Sequence, residues 1–88
     1  MHLRCNPDVS IRKIDNELFV YNRDKALIHT FNRTGAFLWE AITTGREFDV
    51  IVDMITETFN VGTNEAVADL QAFVEKLKEL GLLYEEPA

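Results

Sequence analysis

The chain has 88 residues, 47% of them apolar and 27% charged, with six Phe, two Tyr and one Trp, which is enough for one domain with a modest core. Its net charge of −6 is uneven: residues 1–34 carry six basic and four acidic residues, residues 35–88 three basic and eleven acidic. No apolar run can span a membrane, Met1-His2-Leu3-Arg4-Cys5-Asn6-Pro7 lacks a signal-peptide core, and the single cysteine rules out an internal disulfide, so the cytoplasm is the expected compartment.

Residues 1–10 read as a flexible N-terminal arm, because Pro7 and Asp8 favour a turn and little apolar area holds the segment down. Ile11 and Ile14 flank Arg12-Lys13 in a short candidate strand, and Asp15-Asn16 is a turn signal. Leu18-Phe19-Val20-Tyr21 is aromatic and β-branched, which suits a second strand. Asn22-Arg23-Asp24 marks the next turn. A third strand over 25–31 then places Leu27, His29 and Phe31 on one face and Ile28 and Thr30 on the other. Short turns predict an antiparallel meander, and its single apolar face needs a helical layer.

Asn32 is a good N-cap for a helix over roughly 33–43, with Thr34 as competitor. Leu38, Trp39 and Ile42 recur at helical spacing, so they point inward, and Gly35 allows close approach to the sheet. Gly45 is available for a left-handed C-terminal position. A second helix runs from about 48 to 59, with Ile51, Met54, Ile55 and Phe59 inside and Asp53 and Glu57 outside. Asn60-Val61-Gly62 breaks it, and Thr63 is the candidate cap of a third helix over 64–80. There Ala66, Leu70, Phe73, Leu77 and Leu80 follow spacings of four, three, four and three. Trp39, Leu70, Phe73 and Leu77 are assigned to the core. Gly81 caps this helix, Leu82-Leu83-Tyr84 forms a short extended segment, and residues 85–88 make a frayed C-terminus. The predicted architecture is α+β and winged helix-turn-helix-like: a three-stranded antiparallel sheet followed by three helices.

Catalytic chemistry is poorly supplied. His29 shares the parity of Leu27 and Phe31 and reads as a semi-buried structural histidine. His2 and Cys5 provide two ligands at most, short of a metal site. Cys5 has no visible base to activate it. Asp49, Asp53 and Glu57 read as a solvated helix side. The glycines at 35, 45, 62 and 81 sit at helix ends and form no phosphate cradle. No catalytic residue, metal ligand set or cofactor site is read from the chain.

Two binding modes compete. A winged helix raises nucleic-acid binding or transcriptional regulation by fold analogy. The third helix sets Glu65, Asp69, Glu75 and Glu79 against Lys76 and Lys78, and the second has no basic residue after Arg46, so either would bring negative charge to phosphate. The basic residues Arg12, Lys13, Arg23, Lys25 and Arg33 lie in and around the strands instead. Peptide capture is the other mode. The last strand of a meander has an edge that an extended peptide can join by β-augmentation. Pattern alone leaves equal room for an edge covered by a helix, a charge or a homodimer partner.

From Phe31-Asn32-Arg33-Thr34-Gly35-Ala36-Phe37-Leu38-Trp39 onward the chain resembles the PqqD-like family, the precursor-peptide recognition element of ribosomally made, modified peptides. Thr44-Gly45 stands where the family usually has Asp-Gly. Val50-Ile51 to Phe59 is similar to its second helix, and Glu65-Ala66 through Leu80-Gly81-Leu82-Leu83 to its closing helix and Gly-Leu-apolar ending. The likeness covers about residues 11–84, the expected recognition domain. Departures are Phe31 for the usual Leu, Thr44 for Asp, and His29 where an aliphatic residue is frequent. The resemblance implies a non-catalytic protein that presents a leader peptide to a modifying enzyme, commonly a radical S-adenosylmethionine enzyme that keeps its own iron–sulfur clusters. It implies a leader strand added beside residues 25–31 and resting on the helix over 64–80. Candidate peptide-binding residues are Arg23, Lys25, Ala26, Leu27, Ile28, His29 and Thr30, with Asp69 and Lys76 on the helix wall; Arg23 and Lys25 would attract acidic leader residues.

Overall fold

A computed structural model of the chain describes residues 2–86, in the order β1 (His2–Cys5), β2 (Val9–Ile14), β3 (Glu17–Asn22), β4 (Leu27–Phe31), α1 (Arg33–Thr43), α2 (Phe48–Phe59), α3 (Thr63–Glu79) and β5 (Leu83–Glu86). Strands β2, β3 and β4 form an antiparallel sheet in that order, and β1 pairs with β5 in a separate two-stranded ribbon. The expected α+β architecture, a three-stranded meander followed by three helices, is what the chain adopts.

Local chemistry places the sheet's two turns. Ile14 pairs with Glu17 across the two-residue loop Asp15-Asn16, and Asp15 takes a φ of 55°. Positive φ at such a loop matches the twist of the flanking strands, and Asp tolerates it better than most residues. In the second turn Asn22 is 1% exposed, and its Oδ1 accepts hydrogen bonds from the backbone N–H groups of Asp24 (3.1 Å) and Lys25 (3.3 Å). This asparagine folds the loop over itself. Ala26 completes the reversal with a left-handed φ of 53°.

Pairing runs Leu18 to Phe31, Val20 to His29 and Asn22 to Leu27 on the face toward the helices, and Phe19 to Thr30 and Tyr21 to Ile28 on the other. Against the inner face lie the buried stripes Leu38, Trp39 and Ile42 of α1 and Ala66, Leu70, Val74 and Leu77 of α3. Both stripes follow the 3.6-residue period legible in the sequence. Asn32 caps α1 as expected: its backbone is extended and its Oδ1 accepts from the Gly35 N–H at 3.0 Å. Gly35 meets Phe31 so closely that a Cβ would stand 3.0 Å from the Phe31 Cβ.

Several boundaries differ from the sequence reading. Residues 2–5 fall in the stretch expected as an arm, yet they pair with Leu83–Glu86, with Leu3 and Cys5 packed against the core. Asn6 secures the ribbon by donating from Nδ2 to the Gly81 carbonyl at 2.9 Å and from its backbone N–H to the Leu82 carbonyl at 3.0 Å. Glu85 and Glu86, expected in the frayed end, belong to β5, while residues 87–88 lie outside the described residues. The third strand starts at Leu27 rather than Lys25, because the left-handed backbone at Ala26 cannot continue a strand. Gly62, not Thr63, occupies the cap position of α3 and makes no side-chain bond.

Asn32→Ala leaves the Gly35 N–H without its partner. It should lower unfolding stability by about 1 kcal/mol, and Asn32→Gly by only a few tenths, in urea titrations followed by circular dichroism.

Candidate functional site

An open sheet has two edges, and the side chains on them decide which can accept another strand. The β2 edge carries Arg12 and Lys13, and from Ser10 to Ile14 every residue is exposed. Lys13 has the parity of the helix-facing side, so an added strand would have to desolvate an inward-pointing ammonium. Such charges are a known defence of sheet edges. The β4 edge is built differently. Leu27-Ile28-His29-Thr30-Phe31 contains no Lys, Arg, Asp or Glu, Leu27 is 50% exposed and Ile28 65%. Since β4 pairs with β3 alone, alternate N–H and C=O groups along its outer side are left for solvent.

Helix α3 borders this edge. Phe73 packs edge-on against Phe31 with ring centroids 5.6 Å apart. At the opposite end Lys25 lies over Gly81, its Nζ 3.2 Å from where a Cβ would stand. These two contacts fix the direction: β4 and α3 run antiparallel, Phe31 beside Phe73 and Lys25 beside the helix's C-terminal turn. Asp69, Phe73, Lys76 and Leu80 recur at four, three and four residues, so they line the side of α3 that Phe73 turns to the strand. We read the strip between β4 and this row as a candidate groove.

The expected site residues divide accordingly. Leu27 and His29 face the helix side, and Asp69 and Lys76 stand exposed on the opposing bank. Lys25 closes the groove at the Gly81 end. Ile28 and Thr30 point to the outer face of the sheet. There Ile28 joins Ile14, Phe19 and Tyr21 around an open apolar concavity of about 380 Å³, with Ser10, Ile11 and Arg12 at its margin. Arg23 is drawn away: its Nη2 donates to the Pro7 carbonyl at 3.1 Å and its backbone N–H to the Asp8 carbonyl at 2.9 Å. Ala26 sits in the turn rather than on the strand. Phe73, assigned to the core by its spacing, is half-buried at the groove wall, because Phe31 covers one side of its ring.

Burial pushes the Cys5 thiol up, which disfavours the reactive thiolate. Lys78 donates to Glu85 at 2.7 Å and Glu75 at 3.3 Å; the Glu85 partner raises its pKa, and the ammonium in turn holds the Glu85 carboxyl below the ordinary range. This exposed pair ties α3 to β5 on the side of the helix away from the groove. Among the described residues no group of three or more His, Cys, Asp or Glu is arranged to hold a metal, and no helix is long and apolar enough to cross a membrane.

A family model described as coenzyme PQQ synthesis protein D matches residues 17–83. Two solved structures share the fold: TbiB1 in complex with the TbiA(beta) leader peptide (TM-score 0.88) and lasso peptide synthetase B1 complexed with the leader peptide (TM-score 0.90). Each is 21% identical to this chain; the alignments cover 97% of it and 99% and 100% of the respective neighbours. No curated protein is similar enough to count as a match.

Amide hydrogen exchange should separate the strands. Protection should be continuous along β3 and should alternate along β4, with every second amide exchanging at loop-like rates. Continuous protection of residues 27–31 in the monomer would mean that the edge is covered.

Proposed function

Because the chain belongs to the PqqD family, we propose that it binds the leader of a ribosomally made precursor peptide and presents it to a modifying enzyme, without bond chemistry of its own. The observation that carries this reading is the uncharged, unpaired edge of β4 running beside α3. A leader in extended conformation adds to that edge as a fourth strand. Its backbone bonds to the free N–H and C=O groups of Leu27–Phe31, over a span of about 17 Å. Leader side chains alternate between the groove, where they meet Leu27, His29, Phe73 and Lys76, and the outer face beside Ile28 and Thr30.

Backbone pairing gives affinity without sequence preference, and the side-chain surroundings give selection. Binding removes the leader from free solution and holds the attached core peptide near the enzyme. The second encounter then becomes nearly intramolecular, with an effective concentration set by the linking segment. The partner fitting the family is a radical S-adenosylmethionine enzyme, whose iron–sulfur clusters remain its own. We assign the recognition unit to residues 11–84 and its location to the cytoplasm. Self-pairing of two copies through β4 uses the same groups, so a homodimer of that kind competes with the leader.

Nucleic-acid recognition is the poorer account. The surface of α2 exposes Asp49, Asp53 and Glu57, and that of α3 exposes Glu65, Asp69, Glu75 and Glu79. Either helix laid in a groove would oppose phosphate with carboxylate.

Titration of the isotopically labelled protein with a candidate leader should shift amides of 27–31 and of Asp69, Phe73, Lys76 and Leu80, and saturate. Shifts confined to residues 2–10, or no saturable binding, would reject the groove. Proline substitutions refine the test, since neighbouring amides on a strand point to opposite sides. Of Ile28→Pro and His29→Pro, the one whose N–H faces outward should fold and bind about tenfold more weakly, and the other should damage the β3–β4 hairpin.

A further inference from the structure

His29 holds a polar atom that no described residue satisfies. Its Nε2 is shielded from solvent and has no hydrogen-bond partner among the described residues. The ring lies on the helix-facing side of β4, opposite Val20, halfway between the aromatic contact of Phe31 with Phe73 and the contact of Lys25 with Gly81. Buried polar groups in folded proteins nearly always find partners, so an orphan of this kind calls for an explanation. Its place on an edge strand supplies one: a strand that joins that edge can bring the missing partner as the side chains now covering the nitrogen turn aside.

The surrounding charges indicate what that partner is. Lys25, at the Gly81 end, and Lys76, on α3 one turn beyond Phe73, belong to the same half of the candidate groove, and neither takes part in an ion pair among the described residues. Neither ammonium is therefore tied to a carboxylate, and both remain available to an anionic group of a bound strand. Beyond Phe31 and Phe73 the next charge on the helix wall is Asp69, of opposite sign. An anionic side chain is thus favoured at His29 and disfavoured at the far end, while the Phe31–Phe73 pair between them favours a large apolar side chain. Residues facing one side of a strand are two apart.

Resting on the leader-binding reading, we propose that His29 is a specificity-determining residue that selects leaders with an Asp or Glu at the position facing it, two residues from a large apolar side chain that packs on Phe31 and Phe73. The carboxylate accepts a hydrogen bond from His29 Nε2–H and is attracted by Lys25 and Lys76. Charge-assisted bonds of this type are stronger than neutral ones, and a ligand without the group leaves the nitrogen unpaired.

The test uses a displayed library of random dodecapeptides, selected in parallel on the intact protein and on His29→Leu. Wild type should enrich peptides with Asp or Glu two positions from Leu, Ile, Met or an aromatic residue; His29→Leu should keep the apolar preference and lose the acidic one. In a synthetic peptide of the enriched pattern, replacing Glu by Gln should weaken binding to wild type by about tenfold and hardly change binding to His29→Leu. The variant should be at least as stable as wild type, since it removes an unsatisfied buried atom; marked destabilisation would reveal an internal role for the imidazole and overturn the proposal. Peptides that shift residues 27–31 but show no acidic preference, or the same preference with His29→Leu, would overturn it and leave the leader-binding reading intact. If no peptide from the library binds at β4, both fail together.

Discussion

Phe31 is the point at which sheet, first helix and third helix meet. Its ring stacks near Trp39 at a centroid distance of 6.3 Å and meets Phe73 edge-on at 5.6 Å, while its Cβ approaches Gly35 so closely that no larger residue fits without a shift. The next residue, Asn32, caps α1. One dipeptide therefore ends β4, begins α1, and fixes α3 against both. A buried aromatic cluster of this kind contributes several kilocalories per mole, and truncating such a ring in a core costs about 3–5 kcal/mol. The geometry of the groove follows from that contact: with Phe73 on Phe31, the row Asp69, Phe73, Lys76 and Leu80 runs beside the free edge of the strand.

The two sheet edges illustrate how a small protein separates a site from a hazard. Unpaired backbone on an edge is adequately hydrated, so leaving it open costs little until another strand arrives. On β2, Arg12 and Lys13 make such an arrival costly. On β4 no formal charge intervenes, and an adjoining helix contributes a second wall. Affinity at such a site comes from exchanging water for backbone bonds, and each exchange is worth only about 1 kcal/mol. In the proposed leader complex, discrimination among peptides then falls to side chains, and the polar and aromatic halves of the groove would matter more to identity than to strength.

Much of this organisation was legible in the sequence. The stripes Leu38-Trp39-Ile42 and Ala66-Leu70-Val74-Leu77 are periodic, and periodicity is a local property. The same holds for Asn32 before a helix and for the turn at Asp15-Asn16. Position 29 is more instructive. Its parity with Leu27 and Phe31 placed it on the inner face, which is where it lies. Whether its nitrogen has a partner depends on what packs around it, and no spacing rule reports that. The β1–β5 ribbon was illegible for a simpler reason: four residues at each end of the chain pair across some 80 residues of sequence, and neither segment has a pattern strong enough to announce a strand alone. Ala26 was misread because alanine carries no sign of the left-handed conformation that the loop imposes on it.

By itself, the sequence determined the element types, the inward faces and the placement of basic charge near the strands, because these depend on near neighbours and on repeat periods of two and 3.6 residues. Tertiary structure alone decided that α3 approaches β4 through Phe73, that Arg23 is engaged by Pro7 while Lys25 lies beside Gly81, and that His29 Nε2 has no partner among the described residues. Those facts depend on which distant segments meet, and strand order and burial are properties of the packed chain that no short window of residues contains.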